Sequence, residues 1–342
     1  MDKSQLSLRF KNFAELECKD SSKLYEFLSV NVSEDDELLE LCSEIPSGQP
    51  VPNLLLGAVH YLLLKGEEHC LREYYPSINK QARNIDDETF VYFKGFCKSF
   101  REEIVTLLKS KLVQTNEVRR CGYLYPVFSY IYSRVEKPLA LIEIGTSAGL
   151  QLLWDKYRYS YGTDVTYGDE DSSVQIISEF KGENPPPFLS DIPPVASKVG
   201  VDLHINDLRN SEDYLWLKSL IWPEHQDRME LFESAVRCFK ENPVELIEGD
   251  GVALLTGLVD TIPEDSVICI FHTHVANQMS EDIKYTLLEK IKKIGSQRDI
   301  FHIYNNMWDR KLHLDYFMDG LKYNETVGDT DGHGRWFEWD IQ

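Results

Sequence analysis

Residues 139–149, Leu-Ala-Leu-Ile-Glu-Ile-Gly-Thr-Ser-Ala-Gly, constrain this chain more than any other stretch. Six apolar or β-prone positions run almost unbroken from Leu139 to Ile144 and stop at Gly145. Such a run suits a parallel strand buried on both faces, where helices cover the sheet. Gly145 permits a sharp turn with positive φ. Gly149 lets the loop backbone pass close to a ligand or a strand, and Leu150-Gln-Leu-Leu-Trp154 then begins an amphipathic stretch. Amides at a new helix N-terminus are able to bond a carboxylate or phosphate. The dinucleotide fingerprint needs three glycines as G-x-G-x-x-G. Ser147 replaces the middle one here, and the spacing becomes G-x-x-x-G.

The pattern around this motif sets the fold class. Further candidate strands are Val201–Ile205, Val244–Ile247, Val267–Phe271 and Ile300–Tyr304, with helical patterns at Arg228–Lys240 and Ser280–Ile294 between them. Alternation of this kind predicts an α/β fold with a Rossmann-like doubly wound sheet. Short β-type segments between Leu312 and Asp340 predict an antiparallel C-terminal edge. Residues 1–135 read as a helical N-terminal region and 136–342 as the Rossmann-like domain. In the former, Asn53–Leu64 is apolar all round, which predicts a buried helix. Asp86 and Asp87 are caps for a helix whose stripe is Phe93, Cys97, Phe100, Ile104, Leu107 and Leu108. A further helix is expected over 116–134, capped by Thr115, with Pro126 kinking or breaking it. Residues 160–195 interrupt the alternation with a hairpin pattern and Asn-Pro-Pro-Pro, as a lid or a plain insertion.

Composition excludes some functions. The net charge of −21 makes the surface repel a phosphate backbone, so nucleic acid is not an expected partner. The longest apolar run, Leu54–Leu64, is too short to span a bilayer of roughly 20 helical residues, and no membrane partner is expected. The seven cysteines are scattered without a C-x-x-C pair, which fits a reduced, cytoplasmic compartment.

Three later segments carry chemistry. Gly200-Val-Asp202 places a carboxylate at the end of a candidate second strand, with Asp207 and Asp169 in reserve. Val244-Glu-Leu-Ile-Glu-Gly-Asp250 ends a strand and opens a helix, so Asp250 is either a ligand contact or an N-cap. Val267–His274 ends a strand in His272-Thr-His274, and ligands bind at the carboxyl ends of such strands. Either histidine suits a general base near neutral pH. The His-x-His pair lacks a visible third ligand, so no metal is expected. Asn116 and Arg119 before the first strand, and His333 and Arg335 near the C-terminus, are candidate substrate-binding residues.

The motif Glu143-Ile-Gly145-Thr146-Ser147-Ala-Gly149 resembles motif I of class I S-adenosylmethionine-dependent methyltransferases, in its small-molecule O-methyltransferase form. The resemblance implies S-adenosylmethionine as cofactor and a small-molecule substrate. It implies Glu143 near the methionine amino end, Asp202 on the ribose hydroxyls and Asp250 on the adenine amino group. Asp202 lies 59 residues after Glu143, where the related dinucleotide-binding pattern has about 20. The 160–195 insertion accounts for the excess, and Asp169 takes the role otherwise. A non-catalytic nucleoside-binding protein on the same fold and a nicotinamide-dependent oxidoreductase are the alternatives. The segments Pro52–Leu64, Gln114–Cys121, Ser147–Tyr159, Ile221–His225 and His333–Trp339 together resemble the bacterial domain-of-unknown-function family 2332. That resemblance implies the same fold with an N-terminal helical region and no particular activity.

Overall fold

The computed structural model describes residues 2–189 and 191–341. The chain divides into two compact units, Met1–Thr115 with Arg209–Glu230, and Asn116–Leu208 with Leu231–Gln342. The first unit is helical. Its central helix, Val51–Lys65, is buried from Val51 to Leu63 except at Asn53, as an all-round apolar sequence demands. It ends at Gly66 with φ 113°. Asp86 caps the next helix in a capping box with Thr89. The expected single helix beyond that cap divides at Phe100 (φ −112°, ψ 32°) into Asp87–Ser99 and Arg101–Ser110. Residues 209–230 return to this unit because Trp216 is buried in its core and donates Nε1–H to the Leu112 carbonyl at 2.8 Å. The domain division read from the sequence lacked this return.

The second unit is built on a mixed sheet. Its strands in chain order are β1 (Leu139–Ile144), β2 (Arg158–Ser160), β3 (Thr166–Gly168), β4 (Gln175–Ile177), β5 (Glu179–Lys181), β6 (Val195–Asp202), β7 (Glu245–Glu248), β8 (Val267–His272), β9 (Ile300–Tyr304), β10 (Leu312–Met318), β11 (Leu321–Gly328) and β12 (Trp336–Glu338). Seven form one sheet in the order β11-β10-β9-β8-β1-β6-β7. The five strands from β7 to β9 are parallel, and β10 and β11 add an antiparallel hairpin at one edge. In chain order the parallel strands lie third, second, first, fourth, fifth. The winding therefore reverses between β1 and β8, which is where open α/β sheets bind ligands.

The segment between β1 and β6 is folded rather than loose. Strands β3, β2 and β4 make a small sheet, and β5 pairs with β12. Tyr159, Tyr161, Tyr167 and Phe188 stack within it at centroid distances of 4.4–6.3 Å. One of these rings also explains Pro126. The helix Cys121–Val135 runs through that proline, preceded by a 3-10 turn at Val118–Arg120. Proline has no N–H for the Gly122 carbonyl four residues earlier. The Tyr161 hydroxyl donates to that carbonyl at 2.9 Å instead. The N-terminal turn is capped by Glu117, not by Thr115.

Candidate active site at the carboxyl ends of β1 and β8

The loop after β1 is held tightly from within. Gly145 and Thr146 amides donate to the Val201 carbonyl at 2.7 and 3.3 Å, and the Gly149 amide donates to Thr146. The Ser147 amide donates to Asp202 Oδ2 at 2.8 Å. Gly145, Ser147 and Gly149 all take positive φ. A 3-10 helix, Leu150–Lys156, follows in place of an α-helix. Four amides of the loop are thus engaged within the protein.

Two carboxyl groups lie beneath the loop. Glu143 is 3% exposed and accepts from the Thr146 hydroxyl at 2.5 Å. Burial pushes its carboxyl up to about 8, against the Thr146 hydrogen bond, and the nearby Asp202 charge adds to the rise. Asp202 itself is raised by burial. It ends β6, the strand paired with β1, so Asp202 and not Asp169 occupies the strand-end position. Its oxygens accept from the Ser147 and His204 amides. Asp250 is exposed and caps the following helix through Oδ1, on the amides of Val252 and Ala253.

The two histidines ending β8 go to different places. His272 is fully buried, its Nε2 3.0 Å from Nε2 of His302, with Tyr304 stacked on both rings. Burial lowers His272 to about 4 and His302 well below its ordinary value. The neutral pair shares one proton between the facing nitrogens. Depressed imidazoles contribute stability above the unfolded value near 6.5 that is lost as pH falls toward 4. Replacing His302 alone with Phe leaves the His272 Nε2 unpartnered and is expected to destabilise by about 1–3 kcal/mol at pH 7. The double replacement with Phe is expected to recover most of that loss in chemical denaturation. Additive losses would show that the pair has no mutual bond.

His274 lies in the cluster at the sheet edge. It adopts φ +58°, a strained value for a non-glycine residue. Its amide donates to Asn305 Oδ1 at 2.8 Å, and its Nδ1 is 3.1 Å from Asn306 Nδ2. Its Nε2 is buried without a hydrogen-bond partner. Burial, with the charge of Arg120, lowers it to about 3. Around it, Arg120 Nε donates to the Gly332 carbonyl at 3.0 Å and Thr273 Oγ1 donates to Gln151 Oε1 at 3.0 Å. His333 Nδ1 is 3.2 Å from Glu117 Oε2. Asn116 Nδ2 donates to the Thr146 carbonyl at 3.3 Å. Arg119 sits beside Glu117, and its carbonyl underlies Gly334, where a Cβ would approach within 2.5 Å. Arg335 is exposed and forms a two-point pair with Asp331. Burial opposes that pairing, yet it holds the Asp331 carboxyl down to about 2.

The structure thus gathers Asn116, Asp202, His274 and His333 near one edge, and leaves His272 in the core and Asp250 at a helix start. Sequence reading passed over Glu117, Arg120, Gln151, Thr273 and Asn305 as site residues. Asn305 follows β9 directly, so the strand-end rule that selected His274 also selects it. Among the described residues, no group of three His, Cys, Asp or Glu side chains is placed to hold a metal ion. No described helix is long and apolar enough to cross a membrane.

The family comparison covers this whole arrangement. The profile of DUF2332, described as an uncharacterized protein conserved in bacteria, matches residues 7–339. The chain belongs to this family. No curated protein and no solved structure matches it. The DUF2332 match includes the loop after β1, both β8 histidines and the His333 segment, so the site lies within the shared region.

Proposed function

We propose that the protein binds S-adenosylmethionine where the sheet reverses its winding and transfers a methyl group to oxygen or nitrogen of a small molecule. The observation that carries this reading is the pair of carboxyl groups, Glu143 buried and Asp202 half-buried, under a glycine loop at that point. Two acids raised by burial, Glu143 also by the Asp202 charge, are stabilised as anions by a cationic ligand. S-adenosylmethionine carries an ammonium and a sulfonium; the bound group supplies an activated methyl. Asp202, the carboxylate that ends β6, would take the ribose hydroxyls. The unpartnered His274 Nε2 is a buried polar atom that a ligand would satisfy.

Calorimetric titration with S-adenosylmethionine, S-adenosylhomocysteine and NAD tests the reading. Binding of the first two, with proton release on binding S-adenosylmethionine near pH 7, is expected. Proton release follows because Glu143 must ionise to meet the ligand cation. The absence of binding by either sulfur compound at millimolar concentration would sink the proposal. One observation favours a second reading, a nucleoside-binding protein without turnover. The loop amides at Gly145, Thr146, Ser147 and Gly149 are all consumed internally. Saturable binding with no methylated product across an acceptor screen would select it.

A further inference from the structure

We propose that Glu117 and His333 form a general-base dyad in which His333 Nε2 takes the proton of a protic group on a small ligand. The dyad extends the methyl-transfer reading, since an O–H or N–H acceptor must lose its proton. The geometry stands on its own. Glu117 is 3% exposed and His333 42% exposed by side chain, so the carboxylate is fixed inside and the imidazole faces outward. The carboxylate is further fixed because Glu117 Oε1 accepts from the Arg119 amide at 3.3 Å. Glu117 Oε2 faces His333 Nδ1 at 3.2 Å. A carboxylate on Nδ1 holds the proton there and leaves the Nε2 lone pair as the basic site. No described residue bonds Nε2 of His333.

The neighbours suit this task. The His333 amide donates to Asp331 Oδ1 at 3.1 Å, which fixes the loop carrying the ring. Gly332 and Gly334 close that loop on Arg120 Nε and the Arg119 carbonyl. Charged or titratable groups near the dyad include Arg119, Arg120, Cys121, Tyr123, Asp331 and His274. His274 is kept neutral by burial and so adds no competing positive charge at neutral pH. The proton moves from the ligand heteroatom to Nε2, the ligand keeps the electron pair, and the Glu117 carboxylate balances the imidazolium. His333 is then the catalytic base and Glu117 its positioning residue.

Nitrogen-15 NMR of histidine side chains tests the dyad without any ligand. The neutral His333 ring is expected to carry its proton on Nδ1. Glu117→Ala is expected to move that proton to Nε2 in most molecules. An Nε2-protonated His333 in the wild-type protein overturns the proposal. Once a methyl acceptor is in hand, His333→Asn and Glu117→Gln are expected to lower kcat by about 10²-fold or more. Their affinity for S-adenosylmethionine is expected to stay within twofold of wild type. Unchanged kcat in His333→Asn also overturns the dyad. Failure of the wild-type protein to bind S-adenosylmethionine overturns only the methyl-transfer reading, and the NMR result still decides the dyad.

Discussion

Glu143→Gln is expected to remove a loss of about 1.5 kcal/mol that the Glu143 carboxyl alone contributes to stability between pH 6.5 and 8. Burial raises the Glu143 carboxyl from its ordinary 4.5 to about 8. Between those values the folded state holds a proton that the unfolded chain has released. Unfolding therefore releases a proton, and stability falls as pH rises through this interval. Across the whole interval the loss is roughly 4–5 kcal/mol. Histidines act in the opposite direction. His60 and His272 are lowered by burial to about 4 and His274 to about 3, so their contribution grows with pH through 6.5 and is complete about one unit above it. Both proteins share this histidine term, so the stability difference between wild type and Glu143→Gln is expected to shift by about 1.5 kcal/mol from pH 6.5 to 8, against the wild type. Glutamine keeps an acceptor for the Thr146 hydroxyl and cannot ionise, so the variant keeps the histidine rise and lacks the Glu143 loss. Urea denaturation at half-unit pH steps measures both curves. A decline of equal size in Glu143→Gln would mean that Glu143 is ionised in the native protein.

Much of this fold was legible because the parallel strands are short apolar runs. Leu139–Ile144 and Val267–His272 are buried at every position, and buried strands show in the sequence as continuous hydrophobicity. The edge strand Glu245–Glu248 was found through its helix start at Asp250, since only its middle residues are half-buried. The return of residues 209–230 to the helical unit was hidden. Its evidence is Trp216 in a distant core, which no local period reveals. Pro126 inside a helix was hidden for the same reason, because Tyr161, 35 residues later in sequence, satisfies the orphaned carbonyl.

The site was less legible than the fold. Residue type and strand-end position selected Glu143, Asp202 and His274, which lie at or just after the carboxyl ends of β1, β6 and β8. They also selected His272, which has the same position and type but faces the core. Alternation along β8 decides that difference: His272 follows Ile268 and Ile270 on the helix-covered face. Glu117 and His333 are 216 residues apart in sequence. Their pairing depends on how the C-terminal loop returns to the turn before helix Cys121–Val135. Spacing alone carries no trace of it.

The glycine that opened the sequence argument has a second demand on it, and a double-mutant cycle is expected to separate the two. Gly145 has φ +76°, and a Cβ there would lie 2.4 and 2.7 Å from the two Cγ atoms of Val275. Gly145→Ala is expected to destabilise by about 2–5 kcal/mol, from positive φ and overpacking together. Val275→Ala removes both Cγ atoms and leaves only the Val275 Cβ, 3.1 Å from the new methyl. The double variant is expected to recover about 1–3 kcal/mol relative to the sum of the single losses. The remainder belongs to φ, which Val275 does not control. Coupling near zero would show that backbone conformation alone demands glycine. With the expected coupling, Gly145 is explained by packing against the turn after β8 before any ligand is considered. The functional weight of the motif then rests on Glu143 and Asp202 beneath the loop. The double variant provides the matching test: S-adenosylmethionine binding retained there would place the contacts on those carboxylates, while its loss would return them to the loop backbone.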